Sequence, residues 1–380
     1  MFKKIGRHGF GLSMLAVMLL FPFAGHAENS QSVTPIPGKK PFVGMAFDTY
    51  ALAYPRVAEL IAYVGLERES RVDAVGATQI NRNYVPGESV LVIENQKVGY
   101  QLVRAGIAAN NMSWVDIGLR AIEWGLRPEV LGEDGSFPDQ LHGDSSVGRE
   151  LHPKSLFLDS AAHTILLVRE ADLPDEFKVR AEAMVPGLLL AVNLIVQNGD
   201  AEKYFRRVGN SSQLAFVAMS IHQAGLIAGD TTLVDFAKAK MEYILSVQYP
   251  DGGFLEKGGT DTGYQMNTLE LTTAYNATLE PGEWRDTVSL ANKKATDWML
   301  SRVRPDGSID TTGNTRQQAC GGSVPGDFPK GLDIDSTPIR LYYYALLAGS
   351  IKKIQPVADR IQFRGITYDH IGHCTNRVVE

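Results

Sequence analysis

Apolar residues recur at helical spacing along most of the chain, and the stretches that carry them come in pairs. Leu52, Val57, Leu60, Ile61 and Val64 predict a helix from 48 or 49 to about 68, with Pro55 in its first turn or at an early break. Runs over 90–109 and 113–126 follow, joined by Asn110-Asn111, and so short a connection predicts antiparallel neighbours. The same rhythm gives 155–169 with 174–196, 210–227 with 231–247, and 264–278 with 282–303. A helix over 338–350 and a shorter segment from Pro356 complete the chain. Strand-like alternation is nearly absent apart from short pieces in the long loops, so the predicted fold class is all-α.

The loops carry the second regularity. Connections within a pair are short and bear Asn-Asn, Leu-Pro, Gly-Asp or Pro-Gly, whereas those between pairs are long, polar and Gly-rich. Helical hairpins joined in this alternation can bury both faces by closing into a ring with one set of helices inside and one outside, which predicts an (α/α) toroid of about five or six hairpins. An open helical solenoid is the rival; the degenerate repeats and the insertions gathered on one side favour the ring. A turn signal recurs at the long connections: Glu133-Asp134-Gly135-Ser136-Phe137, Pro250-Asp251-Gly252-Gly253-Phe254 and Pro305-Asp306-Gly307-Ser308-Ile309. Each closes a helical stretch bearing an aromatic residue (Trp124, Tyr243, Trp298), so Asp134, Asp251 and Asp306 are read as turn formers rather than catalysts.

Gln248-Tyr-Pro-Asp-Gly-Gly-Phe254 resembles the Gln-x-x-Asp-Gly-Gly-aromatic turn of (α/α) toroid proteins, among them terpenoid cyclases and polysaccharide lyases such as the family-ten pectate lyases. Together with the hairpin rhythm it covers about two thirds of the chain, and it speaks to fold more than to chemistry. A class II terpenoid cyclase would need an Asp-x-Asp-Asp acid, and Asp333-Ile-Asp-Ser336 lacks the last Asp. A toroidal protein prenyltransferase would need an Asp/Cys/His zinc site, which two cysteines expected to pair do not offer. Among exported toroids the resemblance then implies a carbohydrate-active enzyme, a polysaccharide lyase or glycoside hydrolase.

Export is read from the N-terminus. Lys3, Lys4 and Arg7 precede an apolar run through Phe23 that ends in Ala24-Gly25-His26-Ala27, a secretory signal peptide over 1–27 that leaves no membrane span once cleaved. A polar linker over 28–41 and a single domain over 42–380 follow, in the periplasm or outside the cell. The chain carries a formal net charge of −6, and the leader removes only basic residues, so nucleic acid is not an expected partner. Cys320 and Cys374 are the only cysteines, and in an oxidising compartment they are expected to form a disulfide.

In a toroid the long loops share the rim where the inner helices begin. The first brings His142, Asp144, Arg149, His152 and Lys154, and the second Lys203, Tyr204, Arg206, Arg207 and Asn210. The third brings Tyr249, Glu256, Lys257, Asp261, Tyr264 and Gln265, and the fourth Asn314, Arg316, Asp333 and Asp335. Inner-helix N-termini and the Arg and Lys residues of the first two loops favour an anionic ligand, which points to an acidic polysaccharide or oligosaccharide built on uronic acid.

Cleaving such a polymer by β-elimination needs a carboxylate neutraliser and a base near the same carbon. Tyr264, His152, Asn210 and Arg206 supply those types, with Arg149, Lys154, Arg207, His142, Glu256, Asp261, Gln265, Arg316 and Tyr249 as candidate substrate contacts. His163 and His222 lie inside helices and are read as core or wall residues. A hydrolase would instead use two carboxyls drawn from Glu256, Asp261, Asp144 and Asp335. A non-catalytic envelope protein that binds glycan or serves in assembly is the third reading. No residue spacing matches a metal site; a calcium ion bridging loop acids and uronate is compatible with the composition, but no calcium-loop motif supports it.

Overall fold

The computed structural model describes residues 65–66, 68–138, 151–198, 206, 209–302, 310 and 312–315, and the backbone alone of 147–150, 364–368 and 374–378. The chain divides into Met1–Lys39 and Lys40–Glu380, and all described residues belong to the second unit. The expected leader and linker, the helix over 338–350 and Cys320 lie outside them, as does all but the C-terminal end of the helix expected over 48–68.

Four helical hairpins carry this unit. They are α1 (Val98–Ala108) with α2 (Met112–Leu126), α3 (Val147–Glu170) with α4 (Asp175–Gln197), α5 (Ser211–Ala228) with α6 (Thr231–Ser246), and α7 (Thr262–Thr278) with α8 (Glu283–Ser301). The described residues are all-α except for one antiparallel ladder, β1 (Arg364–Tyr368) with β2 (Cys374–Val378), in which Tyr368 faces Cys374.

The hairpins make two layers. Helices α1, α3, α5 and α7 pack side by side in that order, and α2, α4, α6 and α8 lie against their partners. Composition decides the layer. In α5 every residue but Gln213, Leu226 and Ala228 is buried, as a helix apolar on all sides requires. In α6 only Leu233, Ala237, Lys240, Met241 and Ile244 are, a single stripe at helical spacing. Helix α4 is long and apolar enough to cross a membrane by length and composition alone, yet Phe177, Ala181, Met184 and Leu188 pack one of its faces into the core.

Caps fix the helix starts that matter below. Asn210 caps α5 by accepting from the Gln213 amide, and Asp261 caps α7 by accepting from the Gly263 and Tyr264 amides. Helix α7 therefore begins two residues before the expected 264. Two larger corrections are at α1, expected from 90 but α-helical only from Val98 after a 3-10 segment over Ile93–Lys97, and at α3, expected from 155 but already helical at Val147 with Pro153 inside it. Proline removes one ladder bond and so reads as a helix start, yet here the helix runs through it, with the Ser155 hydroxyl donating to the His152 carbonyl. Arg149, His152 and Lys154 are thus helical, not loop, residues.

The Asp-Gly turns are equivalent in their hydrogen bonds. At the first, Gly132 N donates to Ser136 O and Gly135 N to Gly132 O; at the second, Tyr249 N donates to Gly253 O and Gly252 N to Tyr249 O. Asp134 and Asp251 each accept from the amide two residues on. Gly135 and Gly252 have positive φ, and each sits against a backbone carbonyl of the next outer helix, Leu190 and Lys294 respectively. A further copy stands at 73–77, where Asp73 N donates to Ala77 O, Gly76 N donates to Asp73 O, and Gly76 lies against the Arg120 carbonyl. It has no Asp-Gly dipeptide, because its Asp occupies the first position of the turn and caps it from there. The third Asp-Gly turn, at Asp306, lies outside the described residues.

Candidate functional site

The inner layer brings six polar side chains from four helices into one cluster. Tyr100 and Arg104 come from α1, Asp159 and His163 from α3, Gln223 from α5 and Glu270 from α7. The His163 ring stacks on Tyr100 at 5.1 Å between centroids, and the Arg104 guanidinium stands 5.3 Å from the Tyr100 ring centre. Behind them, His163 Nδ1 lies 3.5 Å from Asp159 Oδ1. The Gln223 amide nitrogen is 3.3 Å from the same oxygen and 2.9 Å from His163 Nδ1. Gln223 Oε1 is buried with no hydrogen-bond partner among the described residues.

Burial and charge set the protonation of the cluster. Burial pushes the Tyr100 phenol up to about 12, with the Glu270 and Asp159 carboxylates adding to the rise and Arg104 opposing it, so the group is a neutral proton donor. The Asp159 carboxyl is also raised, by burial first and by Glu270, while His163 and Gln223 pull it back. Asp159, His163 and Gln223 are buried, whereas Tyr100, Arg104 and Glu270 are only half-buried. The first three form a backing and the last three the accessible face.

That accessible face continues along the inner helices. Within the buried run from Thr262 to Tyr275 only Tyr264, Asn267 and Glu270 are partly open, one residue per turn. On α5 the matching opening is Gln213, and on α3 it is His152 and Lys154, the His152 ring meeting Phe216 edge-on at 6.4 Å. Two of the residues expected to act in catalysis, Tyr264 and His152, therefore stand nearer the helix starts than the polar cluster does.

Asn210 and Arg206 have structural partners. Asn210 is 3% exposed, and its side chain accepts from the Ser212 hydroxyl and donates to Gln213. The Arg206 guanidinium lies 4.3 Å over the ring of Tyr243 on α6.

Three of the long loops do converge, as a hydrogen-bonded strap across the starts of α5 and α7. Asn210 bridges Glu256, Thr260 bridges Asn314, and Thr315 donates to the Glu256 carbonyl. Glu256 and Asp261, expected to touch substrate, are 2% and 0% exposed: Glu256 accepts from Ser212, and Asp261 caps α7. Gln265 is likewise structural. It accepts from Phe254 N and donates to the Gly252 carbonyl, as Gln96 accepts from Thr78 N and donates to the Gly76 carbonyl at the turn over 73–77. Tyr249 belongs to the Asp-Gly turn through its backbone.

His142, Asp144, Lys203, Tyr204, Arg207, Arg316, Asp333 and Asp335 lie outside the described residues, as does Cys320, and Cys374 is described by backbone only. No group of three or more His, Cys, Asp or Glu side chains suited to a metal ion occurs among the described residues. The signal that marks the cluster in the sequence is polarity inside apolar helices: Asp159 and His163 at one-turn spacing in a Leu- and Ala-rich run, and Gln223 in the almost wholly buried α5. Neither the protein-family models nor the curated proteins contain a match to this chain.

Proposed function

We propose that this protein is an exported (α/α) toroid that cleaves an acidic polysaccharide by β-elimination in a cleft walled by its inner helices. The observation that carries the reading is the half-buried Tyr100, held between the Arg104 guanidinium and the His163 ring, with Asp159 and Gln223 fixing that histidine from behind. The two-layer order of the helices supports the toroid, as do the turns at Gly76, Gly135 and Gly252, each set against an outer helix. The chemistry then follows from the groups present. Arg104 neutralises the uronate carboxylate, which acidifies the neighbouring C5–H. The Glu270 carboxylate, on the accessible face, takes that proton; the freed pair forms the C4–C5 double bond as the C4–O bond breaks, and the Tyr100 hydroxyl, its ring positioned by His163, protonates the leaving oxygen. The neutral phenol suits the donor role.

A second reading has its own observation. Asp159 and Glu270 belong to one cluster, and burial first, with the Glu270 charge adding to it, raises the Asp159 carboxyl, as suits the acid of a glycoside hydrolase's carboxyl pair. Incubation with a panel of uronate polymers, following absorbance of the new double bond, separates the readings. Elimination predicts unsaturated product and a loss of about 100-fold or more in turnover for both Tyr100→Phe and Glu270→Gln, with folding retained. New reducing ends without that absorbance, abolished by Glu270→Gln, would move the protein to the hydrolases. No cleavage of any polymer by the wild type would leave a glycan-binding or assembly protein.

A further inference from the structure

The three groups of the accessible face come from two walls. Tyr100 and Arg104 stand one turn apart on α1, and Glu270 stands on α7. In the inner layer α3 and α5 lie between those two helices. On α7, Tyr275 meets His222 of α5 and Thr272 bonds to Asn292 of α8. At about 100° per residue Glu270 points about 140° from Tyr275 and about 160° from Thr272, away from both neighbouring helices. Three steps of about 8–10 Å between axes would hold α1 and α7 about 24–30 Å apart in a flat layer, beyond the reach of a side-chain charge. Yet the Glu270 carboxylate acts on both Asp159 of α3 and Tyr100 of α1. The layer therefore bends, and Glu270 faces Tyr100 and Arg104 from across it rather than from beside them.

Resting on the elimination reading above, we propose that Glu270 and Tyr100 work on opposite faces of one sugar ring, so that the enzyme eliminates anti and takes uronates whose C5–H and C4–O bonds are trans. Those bonds are trans in galacturonate, guluronate and iduronate and cis in glucuronate and mannuronate. Glu270 takes the C5 proton from one face, and that pair becomes the second C4–C5 bond. The C4–O bond breaks on the other face, where the leaving oxygen receives the Tyr100 proton, and water then restores both side chains. Arg104, on the Tyr100 wall, holds the carboxylate at the edge of the ring. A cis pair needs base and acid on one wall, where α1 supplies a phenol and a fixed cation but no carboxylate. One tyrosine can serve a cis pair as base and then acid only after losing its own proton, and burial holds the Tyr100 phenol at about 12.

The test uses the full chain and pairs of polymers that differ at a single carbon of the uronate. Polyguluronate against polymannuronate and dermatan against chondroitin change C5, and polygalacturonate against polyglucuronate changes C4. Initial rates of absorbance from the new double bond are compared within each pair at equal uronate concentration. Anti elimination predicts that, in every pair that is cleaved, the trans polymer is faster than its cis epimer by more than about tenfold. A smaller difference, or a faster cis polymer, would overturn the proposal while leaving elimination standing. New reducing ends without that absorbance, or no cleavage of any of the six polymers, would remove the elimination reading and this inference with it.

Discussion

At the scale of single residues, the inner helices hold several polar groups that the fold forces into particular protonation states. His222 on α5 is the clearest outside the cluster. Its ring meets Tyr275 edge-on at 4.7 Å, Nε2 lies 2.7 Å from the Thr278 hydroxyl, and burial pushes its pKa down from 6.5 to about 4. The folded protein thus binds this proton only near pH 4, whereas the unfolded chain binds it near 6.5. Stability from the neutral imidazole is complete above 6.5 and is lost as pH falls towards 4, by at most about 3 kcal/mol. Thermal unfolding measured from pH 7.5 down to 4 should show a steeper fall in Tm for the wild type than for His222→Gln, which keeps an amide near Thr278. Parallel curves would mean that His222 does not carry this dependence. Tyr100 is shifted the opposite way, and a raised phenol stays protonated throughout the working range.

At the scale of elements, the repeated turn is the joint between layers. Gly252 combines φ 103° with a position directly under the Lys294 carbonyl, so a Cβ there meets both backbone strain and a clash. Gly229, which ends α5 at φ 69°, has nothing within 4 Å of where its Cβ would stand. Gly252→Ala should therefore cost about 3 kcal/mol or more, against about 1 kcal/mol for Gly229→Ala, in urea denaturation. Similar losses for both would show that the close approach contributes little. Gln265 adds to the same joint, and Gln265→Leu should cost about 2 kcal/mol because Phe254 N loses its acceptor in a buried site. A substrate-binding role alone would leave stability unchanged and alter only KM.

At the scale of the whole molecule, the proposed ring and an open solenoid differ in how unfolding spreads. In a solenoid each hairpin contacts only its neighbours, and the ends can open independently. A closed ring ties the first hairpin to the last. Trp114 and Trp124 report on α2, and Trp284 and Trp298 on α8. Two variants, each keeping one tryptophan pair with the other pair changed to Phe, should give coincident denaturant transitions that also match helix loss by circular dichroism. Separate midpoints for the two pairs would argue for the solenoid.

Element identity and order were legible in the chain itself. A period of 3.6 in the apolar positions and Gly at the turns are local signals, and they placed all eight described α-helices, with α1 begun eight residues too early, and two equivalent Asp-Gly turns. Two local signals misled: Pro153 hid the first turns of α3, and the turn at Gly76 lacked the Asp-Gly dipeptide although its hydrogen bonds are the same. The candidate site was another matter. A polar residue in a helix declares its type but not its neighbour, and the meeting of Tyr100, His163, Gln223 and Glu270 depends on how four helices far apart in sequence rotate against one another. Loop polarity drew attention to Glu256, Asp261 and Gln265, which tertiary packing buries as caps and joints. What the sequence by itself determined is the all-α succession of hairpins and their turns, because those arise within a few residues of chain. Which polar groups face one another, and which are sealed away, only the tertiary structure decided, because burial and juxtaposition are properties of packed surfaces.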